Sequence, residues 1–342
     1  MTDDRPLVLH VGLSKTGTTT LQRRVFPTLT SYDVAGVPRS GLFDAKGYRS
    51  KGVLRLAFER SPVVWSSIGP DILRAAADAA GAEIGAGPLL LSDEGISSRR
   101  CPYALGAHLA ELSPVARRLG YTSVRCVYVI RRQDRWLGSF YAQTSDRRGR
   151  AGQADFEAFI RRWTDPAHGR YMAAGSQPCS GLLEAGASLD YGMIYDQITS
   201  AIGPESTLVL AYEDLAASPA TFVRRLTEFL GETEASDVAT SALNHRRDNV
   251  RSSGSESWSL RPMDPDLTVR LRPSRVFARL GLPAKINLRR FRPGREDRVK
   301  VTDEIRRLVL DAYEETNRHV SRVAGLDLSR LGYFPTDTRT GP

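Results

Sequence analysis

The sequence predicts an α/β protein with a central parallel sheet flanked by helices. Four short runs rich in Val and Leu are spaced along the chain, each leads into a stretch of helical periodicity, and the first ends in a glycine-rich turn. Short continuous apolar runs suit strands buried on both faces, and parallel neighbours need the crossover connections that intervening helices supply. The 342 residues are 41% hydrophobic and 25% charged, globular proportions that exclude disordered, collagen-like and coiled-coil readings.

Taken in order, Pro6 to Val11 reads as the first buried strand and runs into Gly12. A helix is expected from about Thr18, where Thr19, Leu21 and Val25 begin one face. Pro88 to Leu91, Val124 to Ile130 and Thr207 to Ala211 are the later strands. From Ser218 to Leu230 a helix carries Phe222, Leu226, Phe229 and Leu230 on one face and stops at Gly231, a C-terminal cap. The last helix, Thr302 to about Ala324, aligns Ile305, Leu308, Val309, Ala312, Val320 and Val323 and ends before Gly325. No internal repeat interrupts the pattern. The expected organisation is a single α/β domain over residues 1–342, with a helical or loop insertion at about 141–190 and a basic, loop-rich segment at about 244–300 before the C-terminal helix.

The formal charge of +9 sits in that last segment: residues 244–300 hold 15 Lys or Arg against 6 Asp or Glu, a surplus equal to that of the whole chain. The segment opens on Ser252, Ser253, Gly254 and Ser255 and carries prolines at 262, 265, 273, 283 and 293, so it reads as a loop with short helices laid over the core. Its aromatic residues are few (Trp258, Phe277, Phe291), which argues against a nucleic-acid partner, because single-strand binders interleave stacking rings with their cations. Five lysines leave 43 of the 48 basic residues as arginine, a bias that suits planar anions and that codon usage also produces. Three widely spaced cysteines, Cys101, Cys126 and Cys179, make neither a disulfide framework nor a metal knuckle. Acidic residues at the start of MTDDRPLVLHVGLSK do not suit a signal peptide, and no stretch approaches the roughly 18 apolar residues of a membrane span. A cytoplasmic protein with no membrane span is expected.

The turn after the first strand reads Gly12-Leu13-Ser14-Lys15-Thr16-Gly17-Thr18-Thr19. A Walker A loop, G-x-x-x-x-G-K-[ST], is matched by Gly12, Gly17 and Thr19, but Thr18 stands at the lysine position and the lysine lies inside the loop at 15. Glycines let backbone N–H groups turn around an anion, and a helix N-terminus adds a partial charge of roughly +0.5. A lysine within the turn sits beside the first phosphate or its leaving group, not beside a β/γ pair held with magnesium. That placement favours a nucleotide whose reactive group hangs on a single 5′-phosphate.

The segment Ser14 to Thr19 resembles the 5′-phosphosulfate loop, roughly P-K-[ST]-G-T-T, of the sulfotransferases that use 3′-phosphoadenosine 5′-phosphosulfate (PAPS). Ser14 replaces the proline common in the animal cytosolic enzymes. The resemblance implies a P-loop nucleoside triphosphate hydrolase-like fold, PAPS as co-substrate with adenosine 3′,5′-bisphosphate (PAP) as product, and no metal. It places Lys15 on the transferring sulfuryl group, makes it catalytic, and has Thr16, Gly17, Thr18 and Thr19 hold the 5′-phosphate.

Two further stretches are similar to that family. Arg131 ends the third strand and Ser139 falls eight residues after it, as in the pattern R-x-P-x-x-R-x-x-S, with Gln133 in place of proline and Arg135, taken for the inner arginine, one residue ahead of that arginine's place. The resemblance assigns Arg131 and Ser139 to the 3′-phosphate; read alone, an arginine there is a surface residue capping a turn. Tyr212-Glu213-Asp214-Leu215, after the fourth strand and before the helix ending Phe229-Leu230-Gly231, resembles the family's YEDL segment, which puts Tyr212 near the adenine. On the residues alone, a half-buried wall position is an equal reading. Asn317 and the run Leu326 to Tyr333 look like the closing segment of bacterial members.

An alcohol acceptor must also lose its proton, to which a placed base contributes on the order of 10²–10⁴. Glu94 follows Leu89-Leu90-Leu91-Ser92-Asp93 at the C-terminal end of the second strand, where open α/β sheets place ligands. It resembles the glutamate base in the strand-S-x-E of carbohydrate sulfotransferases. A carboxylate that only pairs with Lys15 or an arginine is the other reading of Glu94. Of the histidines, His10 reads as core, and His108, His168, His245 and His319 carry no motif. Asp93 suits a magnesium-holding acid of an atypical P-loop kinase using ATP, against which the displaced lysine counts. The expected acceptor is the hydroxyl or amine of a small molecule, lipid or carbohydrate.

Overall fold

The computed structural model describes residues 4–35, 57–58, 60–93, 96, 104–145, 151–165, 183–244, 256–260, 268–270, 285–287 and 298–335. Its backbone gathers into two compact units, residues 1–133, 165–249 and 310–342 in the first and residues 134–164 and 250–309 in the second.

The first unit is built on five parallel strands: β1 (Pro6–Gly12), β2 (Asp33–Ala35), β3 (Leu89–Ser92), β4 (Ser123–Ile130) and β5 (Thr207–Ala211), in the order β2-β3-β1-β4-β5. Every residue of β1 is buried, as its central place requires. The α/β class, with a parallel sheet between helices, is therefore as expected from the Val and Leu runs. The edge strand β2 carries only three residues and left no apolar run to detect.

Beyond the first turn, the helix expected after β1 differs from an α-helix. Thr18–Thr20 (α1) is α-helical, Leu21–Val25 winds as a π-helix and Phe26–Thr28 as a 3₁₀ turn. Pro27 explains the change: in an α-helix its ring would strike the carbonyl of Arg23 and its missing N–H would leave a bond unmade. The apolar face survives this rewinding. Leu21, Val25 and Phe26 pack with Val8, Val127, Val129 and Leu210 of the sheet and with Phe222, Val223, Leu226 and Leu230 of the helix Pro219–Leu230. That helix begins on Pro219 and ends on Gly231 at φ 74°, the expected left-handed cap. Helices Val64–Ala80, Leu105–Arg118 and Tyr191–Ile202 cover the other face.

The second unit has an aromatic core. Trp136 stacks on Phe140 at 4.8 Å and meets Trp163 at 5.3 Å, while Tyr141 lies 5.0 Å from Phe156. These rings come from Gln133–Thr144 and Gln153–Thr164, the latter inside the expected insertion. The basic segment is described only in part. There it forms short antiparallel ladders, Ser257–Ser259 with Arg298–Lys300 and Thr268–Arg270 with Lys285–Asn287, where short helices were expected. Alternation explains the first ladder, since Val299 is buried between exposed Arg298 and Lys300.

Candidate functional site

In a parallel sheet all C-terminal strand ends share one edge. The chain leaves β1 toward β2 and leaves β4 toward β5, in opposite directions along the sheet, so the ends of β1 and β4 flank the crevice at which open α/β sheets bind ligands. The register puts Gly12 beside Val129 and Ile130 beside Ala211. The turn 13–17, Arg131 and Tyr212 therefore issue side by side.

The turn is held from within and without. Thr16, fully buried, donates its hydroxyl to the Leu13 carbonyl at 2.7 Å, closing the turn on itself. Lys15 has φ 74° and Gly17 φ 86°, left-handed values at alternate positions. For glycine this conformation is free; for lysine it costs roughly 1–2 kcal/mol. Gly17 has a second reason to lack a side chain: a Cβ there would lie 2.8 Å from Leu215 Cδ2 and 3.1 Å from the Tyr212 ring. The Gly17 carbonyl accepts from the amides of Thr20 and Leu21, at 2.9 and 3.0 Å, and starts the helical run.

Arg131 joins the turn to Tyr212 and to Tyr191. Its Nη1 donates to the Lys15 carbonyl at 2.7 Å, its Cζ stands 4.6 Å from the centre of the Tyr212 ring, and its own carbonyl accepts from the Tyr191 hydroxyl. Behind it lies a buried polar network. Glu213 Oε1 accepts from the Arg132 amide at 3.1 Å, and Oε2 from the Tyr333 hydroxyl at 2.7 Å. Burial raises the Glu213 carboxyl above its ordinary range, against the lowering effect of those bonds and of Arg131. Gln133, fully buried, donates to Asn317 Oδ1 at 2.7 Å, and Asn317 Nδ2 donates to the Tyr333 carbonyl at 3.2 Å. The C-terminal segment is thereby fastened to the turn that follows β4.

A third cluster supports the end of β3. His10 Nδ1 lies 2.7 Å from Ser92 Oγ, and Gln22 Nε2 donates to both the hydroxyl and the carbonyl of Ser92, at 2.9 and 3.0 Å. His10 is core, as expected, and burial lowers its pKa to about 3, so it is neutral at physiological pH. Asp93, also buried, donates its amide to the His10 carbonyl at 3.4 Å.

Ser14, Lys15, Thr16, Gly17, Thr18 and Thr19 form one turn and the start of one helical run, and Arg131 and Tyr212 lie against it. Ser139 is half-buried in Gln133–Thr144 and belongs to the second unit. Glu94 lies outside the described residues. Sequence reasoning passed over Tyr191, Glu213 as a backbone anchor, and the pair Gln133 and Asn317. Tyr191 carries no local signal, whereas Glu213 could have been singled out within its YEDL stretch.

No protein-family model matches the chain, and no curated protein matches it. Among solved structures it is similar to a sulfotransferase from Alicyclobacillus acidocaldarius, at 12% identity and a TM-score of 0.48 over 95% of this chain and 98% of that one. It is also similar to the sulfotransferase domain from the curacin biosynthetic pathway (12% identity, TM-score 0.34, 73% of this chain and 81% of that one). A third likeness is to the sulfotransferase domain from the Synechococcus PCC 7002 olefin synthase (15% identity, TM-score 0.33, 69% and 77%). At such identities and scores these likenesses add no weight to a functional assignment, which stands on the turn and its neighbours.

Proposed function

We propose that the chain is a PAPS-dependent sulfotransferase acting on a hydroxyl or amine of a small-molecule, lipid or carbohydrate acceptor. The observation that supports this most is the lysine inside the turn: Lys15 stands in a left-handed conformation with its carbonyl tied to Arg131, while buried Thr18 occupies the Walker lysine position. A lone 5′-phosphate bearing a transferable group suits that arrangement better than a triphosphate held with magnesium.

The donors present fit a doubly phosphorylated nucleotide. Among the described residues, Thr18 Oγ1 and Arg131 Nε have no hydrogen-bond partner, and the turn's alternate left-handed residues are the kind of backbone that gathers N–H groups around an anion. Gly17 keeps the turn against Tyr212 and Leu215, where a side chain would push it away. In this reading PAPS supplies the sulfuryl group. Thr16 to Thr19 hold the 5′-phosphate, Arg131 and Ser139 the 3′-phosphate, and Tyr212 packs by the adenine. Glu94 takes the acceptor's proton as the new bond to sulfur forms, and Lys15 with the turn amides stabilises the negative charge that grows on the departing 5′-phosphate oxygen. None of these roles needs a metal.

Transfer of labelled sulfate from PAPS to a panel of phenols, alcohols, sugars, lipids and amines tests the assignment. Transfer by the wild type that is lost in Lys15→Ala supports it; transfer of phosphate from ATP to the same panel, with none of sulfate, overturns it in favour of the kinase that Asp93 at the end of β3 would suit.

A further inference from the structure

We infer that Arg131 is a positioning residue for the 5′-phosphate turn as well as a 3′-phosphate ligand, so that the two ends of the nucleotide are recognised cooperatively through one guanidinium. The inference rests on the donor reading above and goes beyond it, because that reading gives Arg131 only the 3′ end.

Among the described residues, Lys15 is the one non-glycine residue with positive φ. Such a backbone persists only where its surroundings hold it. The Leu13 carbonyl is held by the Thr16 hydroxyl, and the Lys15 carbonyl by Arg131 Nη1 at 2.7 Å. The peptide between Lys15 and Thr16 is planar, so directing its C=O at Arg131 directs the Thr16 N–H the opposite way. Arg131 thus sets the orientation of a donor in the turn without itself approaching what that donor binds.

Arg131 is built to be rigid. The Tyr191 hydroxyl donates to its carbonyl, the next amide is bound by Glu213 at 3.1 Å, and the guanidinium lies over the Tyr212 ring. A residue that only met a phosphate in solvent would need none of these restraints. A guanidinium has five N–H donors, enough to bind the carbonyl and still offer an edge to a phosphate.

Calorimetry with two probes separates the roles. Adenosine 5′-monophosphate has no 3′-phosphate, so a residue acting only at the 3′ end leaves its affinity unchanged. We expect Arg131→Ala to weaken adenosine 5′-monophosphate at least about fivefold and PAP further still. In a Lys15→Gly background, where the left-handed turn needs no support, the adenosine 5′-monophosphate factor should shrink to below about twofold. An unchanged affinity for adenosine 5′-monophosphate in Arg131→Ala, or the same loss in both backgrounds, overturns the inference. Circular dichroism melts establish that each variant is folded, and Arg131→Lys, read by the same criteria, replaces an alanine variant that is not. A wild type that binds neither nucleotide overturns the donor reading itself, an outcome distinct from selective loss of PAP binding.

Discussion

Lys15 carries two opposed demands. In the proposed reading its ammonium faces the departing phosphate, yet its backbone adopts a conformation that glycine would take without cost. Lys15→Gly should therefore raise stability by roughly 0.5–1 kcal/mol in thermal unfolding while lowering turnover at least about a hundredfold. Lys15→Ala keeps the backbone cost and should lose turnover alone. At Gly17 the opposite holds: in Gly17→Ala the new Cβ meets Leu215 and Tyr212 at φ 86°, and the variant should unfold about 1–3 kcal/mol more easily and bind PAP at least about tenfold more weakly. Glu94→Gln should lower turnover by about a hundredfold without weakening PAP; near wild-type turnover would remove Glu94 as the base. His10 sets an acid limit. Its pKa is about 3 in the folded chain against an ordinary 6.5, so the unfolded chain takes up a proton that the folded one refuses. This stabilising difference is complete above pH 6.5 and is lost as pH falls toward 3, by up to roughly 5 kcal/mol. Urea unfolding between pH 7 and pH 4 should show a shallower loss in His10→Gln than in the wild type, with buried His108, lowered to about 4, supplying part of what remains.

At the level of elements, what the sequence shows and hides follows from how each is stabilised. β1, β3, β4 and β5 announce themselves because the buried part of each is a short apolar run, and Gly231 marks a helix end because only a left-handed cap needs it there. β2 is hidden, since three edge residues need no pattern. The change of winding at Leu21–Val25 was readable in principle from Pro27, but the preserved apolar spacing masked it. For the site, the turn 12–19 was legible because its chemistry is local. The network of Arg132, Gln133, Glu213, Asn317 and Tyr333 was not, because it joins residues more than 80 positions apart. That network predicts a clear cost: Asn317→Ala leaves the buried Gln133 amide short of a partner and should destabilise the protein by about 1–3 kcal/mol in denaturant unfolding. Asn317→Asp should not rescue it, because it places a charge where an amide was satisfied.

For the molecule as a whole, the surplus of nine positive charges in residues 244–300 leaves the rest of the chain neutral. In the proposed reading, the sheet edge that gathers the turn, Arg131 and Tyr212 is a local anion site on a chain whose net charge lies elsewhere in the sequence. Arg246, Arg247 and Arg251, at the start of the basic segment, lie outside the described residues. If they meet the nucleotide or an anionic acceptor, neutralising all three should change the Michaelis constant of that substrate; if neither constant moves, the charge serves solubility. A single titration separates a 5′-phosphosulfate turn from a triphosphate one. Isothermal calorimetry of the wild type with PAP in EDTA should give a dissociation constant in the micromolar range or tighter, on the order of −8 kcal/mol. Binding of ATP only in the presence of magnesium, with no heat from PAP, would contradict it.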